Sequence, residues 1–295
     1  MTQIVEGDEF VDKVDLVEGD ETLENHAYRL WHKAIKFGTW DPSAIDFSQD
    51  REQVAQLDPA RRAYLERFCA AFHNAEENVA RLFCPWIMAH PNLWVQAFLS
   101  TQLVEEYKHT EVFERYFEEV LGHRNFQLAL RNAVHDSLAS RGRTLLAALD
   151  APEPERELRF VEAVTHYQGI IEGVQANTGY QIFVNVFARK GLLPGLSEAF
   201  RNIQQDEGRH VGFGLGVLRR FAAKDERYAS AIRRMYEEYL PLIRSRYGQS
   251  LTVDGAEYPP PPEEQGVERL MKLYERRLQD IFGEAPPSGR SERPA

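Results

Sequence analysis

Two acid–histidine motifs are the residues of this chain best suited to bind metal ions. In the first motif Glu106 is followed three positions later by His109, and in the second Glu207 is followed three positions later by His210. Residues three apart lie on one face of an α-helix, so each pair can direct a carboxylate and an imidazole to the same ion. One such pair arises readily by chance in a chain with 9 histidines, so the motifs carry weight only together with further ligands.

Two further glutamates lie in apolar stretches upstream of these motifs. Glu76 shares a helical stripe with Phe72 and Val79, and Glu172 has Ile171 and Val174 around it. An ionised carboxylate in an apolar environment is very unfavourable unless it is paired or bound to a metal. Several such carboxylates without a cation would repel one another and take up protons. We therefore expect both glutamates to point into the core, toward the two motifs.

Four carboxylates and two imidazoles together are typical of a dinuclear metal site. In ferritin-like bundles two helices supply one Glu each, and two others supply a Glu-x-x-His pair. The set contains no sulfur and is rich in oxygen, which favours iron or manganese over structural zinc. Cys69 and Cys84 do not form a C-x-x-C pair and are expected to be core thiols. The six candidate metal ligands are Glu76, Glu106, His109, Glu172, Glu207 and His210.

The helical pattern also predicts where the acids next to three of these ligands lie. Glu77 is expected to be solvated, Glu105 to pair with Lys108, and Asp206 to be offset from the core toward Arg209. Of these three pairs of adjacent acids, the inward residues are then Glu76, Glu106 and Glu207.

Composition narrows the class of partner. The formal net charge is −11, which disfavours nucleic acid or an anionic membrane surface, because such binding depends on Lys and Arg neutralising phosphate. The common nucleotide-binding and hydrolase motifs are absent from the sequence. There is also no apolar run long enough to span a bilayer and no signal-peptide pattern. These features predict a soluble, cytoplasmic protein.

Apolar periodicity and helix breakers predict an all-α protein. The predicted helices cover residues 24–37, 59–89, 93–121, 126–148, 154–190, 196–223, 226–246 and 263–282. We predict one domain over residues 21–283, with disordered ends at 1–20 and 284–295. The predicted fold class is a ferritin-like helical bundle with additional helices and a dinuclear metal site in its core.

The chain resembles the ribonucleotide reductase small-subunit superfamily and, within it, the ligand-binding oxidases related to that subunit. The resemblance spans about residues 28–221, which is most of the chain expected to be ordered. The segments that carry it are residues 29–42 (RLWHKAIKFGTWDP), 75–79 (AEENV), 105–109 (EEYKH), 167–172 (YQGIIE) and 206–214 (DEGRHVGFG).

This resemblance implies a function and a role for each site residue. One ion would be bound by the first three candidate ligands in chain order and the other by the last three, with carboxylates bridging them. The related oxidases hold manganese at the first position and iron at the second, and an iron pair is the alternative. They react with dioxygen, carry a long-chain fatty acid over the site, and belong to a superfamily that is usually dimeric. The resemblance therefore implies a homodimeric, metal-dependent oxidase that performs a two-electron oxidation of a hydrophobic substrate.

The related oxidases also form an ether cross-link between a valine and a tyrosine near the metals. The matching residues here are Val79 and Tyr167. The alternatives are an ordinary core valine and a buried tyrosine that donates a hydrogen bond. Tyr180 is either a further hydrogen-bonding group near the bound ligand or a plain core residue.

Three other functions share parts of this pattern. A true reductase subunit usually carries a radical-bearing tyrosine four residues after the histidine of the first motif, where this chain has Phe113. Such a subunit also needs a C-terminal tyrosine, and none follows Phe282. Iron-storage subunits are much shorter, and acyl desaturases share the ligand order but depend on a reductant partner. The oxidase is therefore favoured, with the reductase subunit as the alternative.

Overall fold

The computed structural model of the protein describes residues 14–18, 21–128, 133–247, 251–253, 256–258 and 263–283. Within this part of the chain the architecture is a bundle of α-helices, so the all-α prediction is confirmed. The α-helices are α1 (Leu23–Phe37), α2 (Ser48–Val54), α3 (Pro59–Leu82), α4 (Cys84–Ala89), α5 (Leu93–Tyr116), α6 (Ala133–Asp136), α7 (Leu138–Ala147), α8 (Glu153–Val164), α9 (Asn177–Val186), α10 (Pro194–Lys224), α11 (Glu226–Tyr247) and α12 (Glu263–Phe282).

Two π-helical segments continue these helices. The segment π1 (Phe117–Leu121) follows α5, and the longer segment π2 (Thr165–Ala176) joins α8 to α9. Short 3₁₀ turns occur at Pro42–Ala44, Phe126–Leu128 and Ala188–Lys190. The strands β1 (Leu251–Val253) and β2 (Ala256–Tyr258) pair in antiparallel fashion, with Thr252 opposite Glu257. Glu172 thus lies in π2 rather than in a regular α-helix.

Local sequence explains where the helices that carry the site begin. The side chain of Asp58 accepts a hydrogen bond from the amide of Arg61 and is followed by Pro59, which fixes the start of α3. Asn92 caps α5 in the same way by accepting from the amides of Trp94 and Val95. Both helices are 24 residues long, so each reaches across the core.

The start of α10 is fixed by a helix that the sequence did not predict. The carboxylate of Asp50 in α2 accepts hydrogen bonds from the amides of Gly195 (2.7 Å) and Leu196 (2.9 Å). Because the first amides of a helix have no partner within the helix, a carboxylate at this end both satisfies them and complements the helix dipole. The short helix α2 therefore helps to position α10, which carries the second acid–histidine motif.

Three predicted helices are divided in the structure. The predicted helix 59–89 is interrupted at Phe83, because Pro85 lacks an amide hydrogen and lies in the first turn of a new helix, α4. Cys84, the first residue of α4, is exposed, so the prediction of a core thiol is confirmed for Cys69 and wrong for Cys84. The predicted helix 154–190 is α8, π2 and α9 followed by a 3₁₀ turn, and the described residues of 126–148 form a 3₁₀ turn, α6 and α7. Most of the ends predicted to be disordered lies outside the described residues. Within the first of them, residues 14–18 are described, and the amide of Asp15 donates to the carbonyl of Gly208.

Two apolar clusters fill the core, and the candidate ligands lie at their boundary. Each of the four helical stretches that carry ligands contributes to both clusters, with its acidic ligand between or beside the two contributions. These stretches contribute, among others, Val79, Phe98, Ile171 and Val211 to the first cluster, and Phe72, Phe113, Tyr180 and Phe200 to the second. Within the described residues, no helix has both the length and the apolar character required to cross a bilayer.

Candidate metal centre

The six candidate ligands converge in the core as two overlapping groups of four buried residues. Within each group, one potential ligand atom per residue lies within 4.8 Å of the others. The first group is Glu76, Glu106, His109 and Glu207; the second is Glu106, Glu172, Glu207 and His210. Since Glu106 and Glu207 belong to both groups, these two carboxylates are placed to bridge a pair of ions.

Both histidines direct the same ring nitrogen toward the carboxylates. Nδ1 of His109 lies 3.4 Å from Oε2 of Glu76, and Nδ1 of His210 lies 3.4 Å from Oε1 of Glu172. Among the residues that the structure describes, these two Nδ1 atoms have no hydrogen-bond partner, and neither does one buried oxygen each of Glu106, Glu172 and Glu207. Buried polar atoms in proteins are nearly always satisfied. A pair of bound cations would satisfy all five atoms, so the residues present fit a dinuclear metal site.

The opposite ring nitrogens are held by acids that the sequence pattern placed outside the site. Oε2 of Glu105 lies 2.7 Å from Nε2 of His210, and Oδ2 of Asp206 lies 3.3 Å from Nε2 of His109. Both acids are buried. A carboxylate that accepts from Nε2–H fixes the histidine tautomer and leaves Nδ1 free to bind metal.

The predicted pairing of Glu105 with Lys108 is wrong. Lys108 donates to the carbonyl of Gly38 (2.7 Å) and lies 3.5 Å from Asp206. The helix pattern failed here because Glu105, the residue before an inward ligand, faces the neighbouring helix α10. In this bundle α10 packs closely enough on α5 to bury Glu105. The signal available in the sequence was the repetition itself, since both acid–histidine motifs are preceded directly by a second acid.

Arg209 connects the two acids that hold the histidines. Its guanidinium donates to Glu105 on α5 and to Asp206 on its own helix, and the whole side chain is buried. Trp40 donates from Nε1 to Oδ2 of Asp206 (2.7 Å), and the ammonium group of Lys108 lies 4.3 Å from the centre of the Trp40 ring. These contacts fix Asp206 from three sides and extend the site from the ligands to a partly exposed aromatic residue.

Neutral side chains orient two of the carboxylates. Nε2 of Gln102 donates to Oε1 of Glu172 (2.9 Å), and Nε2 of Gln168 donates to Oε1 of Gln102 (3.3 Å). The hydroxyl of Tyr167 donates to Oε1 of Glu106 (2.7 Å). The phenol of Tyr167 is therefore held directly at one of the two shared carboxylates.

The pKa values of several candidate ligands are shifted toward the protonated form. Burial raises the pKa of Glu76 to about 7, and burial together with the charge of Glu172 raises the pKa of Glu207 well above its usual value. Burial alone would lower the pKa of His109 and of His210, but the carboxylates hydrogen-bonded to them raise both values. These shifts favour protons on the clustered groups, and protons compete with metal ions for the same atoms.

The remaining predicted residues are all buried near the ligands. Val79 and Tyr167 lie in the same apolar cluster. Tyr180 lies in the second cluster, its ring centre 5.3 Å from that of Phe72, and its hydroxyl has no hydrogen-bond partner. Phe113 packs against Phe72 with ring centres 5.6 Å apart. Tyr167 thus contacts a candidate ligand, Glu106. The residue four positions after His109 is Phe113, which has no hydroxyl group.

The helical bundle and the two overlapping ligand groups define a ferritin-like protein with a dinuclear carboxylate site. A family model described as "Ribonucleotide reductase, small chain" matches residues 22–245. The chain belongs to the ribonucleotide reductase small-chain family. Membership in this family and a site that fits two metal ions identify the protein as a metal-dependent oxidoreductase.

The structure is similar to solved structures of an R2-like ligand-binding oxidase with Mn/Fe cofactor. A valine-to-leucine variant with anaerobically reconstituted cofactor aligns at 26% identity and a TM-score of 0.76, covering 88% of this chain and 94% of that chain. A glycine-to-phenylalanine variant aligns at 26% identity and a TM-score of 0.75, covering 91% and 96%. The form with aerobically reconstituted cofactor aligns at 25% identity and a TM-score of 0.74, covering 90% and 98%. The ferritin-like fold class is therefore confirmed.

Proposed function

We propose that this protein is an oxidase that activates dioxygen at a manganese–iron centre bound by the six buried ligands. The observation that carries the proposal is the pair of ligand groups that share Glu106 and Glu207. The similar structures with Mn/Fe cofactor support the choice of metals. Bound in this site, the two ions would supply the electrons and the Lewis acidity that reduction of dioxygen requires. The protein contributes ligation, exclusion of water and the orientation of both histidines.

Each ion has its own terminal ligands in this proposal. Glu76 and His109 would hold manganese, and Glu172 and His210 would hold iron; an iron pair is the alternative. The shared carboxylates would then bridge the ions. The donor set alone accepts either metal. Anomalous scattering at the Mn and Fe absorption edges from crystals of the reconstituted protein distinguishes the two occupancies.

The metal assignment is tested by elemental analysis after aerobic loading with manganese and iron. We expect two metal ions per chain in the native protein, consumption of dioxygen during loading, and a sharp loss of iron in Glu172→Ala. Glu77→Ala is the matched control, because Glu77 is an acid next to a candidate ligand that pairs with Arg81 at the surface. Native stoichiometry in Glu172→Ala would overturn the ligand assignment.

An ether cross-link between Val79 and Tyr167 belongs to the same proposal. The bond would join Cβ of Val79 to the phenolic oxygen of Tyr167, with loss of the Cβ–H and O–H hydrogens. The two electrons and two protons released would pass to dioxygen, which is the oxidant. The hydrogen bond from Tyr167 to Glu106 supports it, because it keeps the phenol at the site and gives the proton a nearby acceptor.

Peptide mass spectrometry tests the cross-link. Aerobic loading should join the peptides of Val79 and Tyr167 into one species two hydrogens lighter than their sum, and anaerobic loading should leave them separate. Tyr167→Phe should abolish the joined species without removing the metal ions. Separate, unmodified peptides after aerobic loading would contradict the cross-link and leave the metal site untouched.

The substrate would be hydrophobic and similar to a long-chain fatty acid. Buried apolar side chains flank the ligands on both sides, among them Phe72, Val79, Ile171 and Val174. The unpaired hydroxyl of Tyr180 supplies a polar group beside them. The word "ligand-binding" in the names of the similar structures supports a bound molecule. Organic extraction of the purified protein followed by mass spectrometry should release a fatty acid, and its absence would count against this substrate class.

A homodimer formed through the exposed face of α1 and α5 completes the proposal. The two helices run side by side, with Tyr28 packed on Trp94 (ring centres 4.6 Å apart). Leu93, Val104 and Tyr107 on α5 are 66%, 61% and 56% exposed. Residues 91–104 contain no charged side chain, whereas the whole chain carries −11. Two copies that repel each other overall would meet most favourably where the surface is apolar and carries no charge, as along residues 91–104.

A further inference from the structure

Four consecutive backbone carbonyls at the end of π2 each accept a hydrogen bond from a side chain. The carbonyl of Glu172 accepts from Nδ2 of Asn177 (2.9 Å), and that of Val174 accepts from Oγ1 of Thr178 (2.7 Å). The other two donors come from distant parts of the chain. Nε of Arg277 in α12 donates to the carbonyl of Gly173 (3.0 Å), and the hydroxyl of Tyr247 at the end of α11 donates to the carbonyl of Gln175 (2.8 Å).

The four carbonyls lie next to the change from π-helix to α-helix, and that of Val174 also accepts from the backbone amide of Asn177. In π2 the backbone bonds join residues five apart, whereas in α9 they join residues four apart. At such a junction the ladder loses register, and carbonyls within it require other donors. The four carbonyls run from Glu172, a candidate metal ligand, to Gln175, directly before π2 ends at Ala176.

Glycine allows the distant side chains to approach π2. A Cβ atom on Gly173 would lie 3.3 Å from Nε of Arg277, and one on Gly169 would lie 2.9 Å from the hydroxyl of Tyr236 on α11. Arg277 is fully buried although it is charged. Burying a guanidinium is unfavourable unless it is paired and makes good hydrogen bonds. Arg277 meets this requirement through the carbonyl of Gly173 and through Asp280, whose Oδ2 lies 3.4 Å from Nη1. Arg277 and Tyr247 also lie beyond residues 22–245, which the family model matches.

We propose that Arg277 and Tyr247 are positioning residues that hold the π-helical register of residues 165–176 and thereby keep Glu172 directed at the metal site. A shift of one residue in helical register rotates a side chain by roughly 100° about the helix axis. Such a rotation would carry Glu172 away from His210 and Gln102, which it now contacts. The helices α11 and α12 thus control the geometry of the second ligand group through the backbone of π2, without contacting an ion. The inference rests on the proposed metal-binding function.

The least disruptive test is Tyr247→Phe, which removes one hydroxyl and leaves the ring in place. Loss of one hydrogen bond changes the equilibrium constant of the step that it supports by about fivefold. Anaerobic titration with Fe(II) should show two binding steps, and Glu172→Ala identifies the one that depends on Glu172. In Tyr247→Phe we expect the affinity at that step to fall about fivefold and the affinity at the other step to stay unchanged. In the metal-free protein, amide hydrogen exchange of residues 172–178 should accelerate by a similar factor.

Tyr228→Phe is the matched control for this experiment. Tyr228 lies on the same helix, α11, and its hydroxyl donates to Oε2 of Glu157 (2.6 Å), far from the ligands. This variant loses a hydrogen bond to a charged group, so general destabilisation should be at least as large as in Tyr247→Phe. Equal effects of the two variants on iron affinity and on exchange at 172–178 would overturn the proposal and assign Tyr247 a merely structural role.

Arg277→Met and Arg277→Lys test the second donor independently. Arg277→Met removes the charge and the donor and should weaken the same iron-binding step by tenfold or more. Arg277→Lys keeps a cationic donor and should recover part of that loss. Native iron affinity in Arg277→Met would overturn the role of Arg277. If the native protein binds no iron at the Glu172 step, the metal assignment fails, and the exchange of residues 172–178 still decides the role of both residues.

Discussion

Oε2 of Glu105 lies 2.7 Å from Nε2 of His210, although Glu105 is on α5 and His210 is on α10. The reverse contact joins Asp206 on α10 to His109 on α5 at 3.3 Å. In each motif, the acid before the ligand glutamate therefore orients the histidine of the other motif. Because Arg209 donates to both acids, the two halves of the site are linked outside the ligands as well as through the shared carboxylates.

This crossed arrangement predicts which ion responds to a change at Glu105. Glu105→Gln should weaken the ion bound by His210, which is on the other helix, by about tenfold to a hundredfold, since removal of a carboxylate behind a histidine ligand has effects of this size. The ion bound by His109, on the same helix as Glu105, should keep its affinity. Anaerobic titration of the two binding steps measures both, with Glu111→Gln as a control at an exposed position of α5. Selective weakening of the His109 step would contradict the crossed arrangement.

The sharing of Glu207 by both ligand groups predicts a stoichiometry. Glu76→Ala removes a ligand that belongs to one group only and should leave about one ion per chain. Glu207→Ala removes a ligand from both groups and should weaken both ions. Elemental analysis after gel filtration measures the bound metal. If Glu207→Ala retained one tightly bound ion while Glu76→Ala lost both, Glu207 would not be a bridging ligand.

The inward direction of Glu76 and Glu172 was predictable because it depends on the sequence around each residue. A carboxylate on an apolar helical stripe must point into the core, whatever the neighbouring helices are. The positions of Glu105 and Asp206 were not predictable in this way, since their burial depends on how closely α5 and α10 pack. The position of Arg209 was not predictable for the same reason, because its two acidic partners come together only in the folded bundle.

The elements that the sequence did not predict have local physical reasons. The helix α2 contains only seven residues, which is too short to show an apolar period, and its function depends on Asp50 reaching the start of α10. The π-helical geometry of π2 was not predictable because residues 165–175 are all buried, so no polar face reveals the turn length. The pattern predicted a helix there but not its register.

His90 predicts a specific pH dependence of stability. Burial lowers the pKa of His90 to about 4 in the folded protein, whereas an unfolded histidine titrates near 6.5. Between these values the unfolded state binds a proton that the folded state does not, so the free energy of unfolding falls as the pH decreases from about 6.5 to 4. One proton corresponds to a slope of about 1.4 kcal/mol per pH unit. His90→Gln should reduce this slope in urea unfolding of the metal-free protein between pH 6.5 and 5, and parallel curves for the two proteins would contradict the lowered pKa.

The proposed dimer face can be tested at Leu93, which is 66% exposed on α5. Leu93→Glu places a carboxylate on each copy within the proposed apolar contact, where it would lose hydration without gaining a partner. In a symmetric dimer each change occurs twice, so the dissociation constant should rise by at least tenfold, and sedimentation velocity should show monomers at micromolar concentration. Leu242→Glu is the matched control, because Leu242 is 45% exposed on α11, away from α1 and α5. Both variants should retain two metal ions per chain, since neither residue contacts a ligand. A monomeric native protein, or equal dissociation in both variants, would remove the α1–α5 face as the site of self-association.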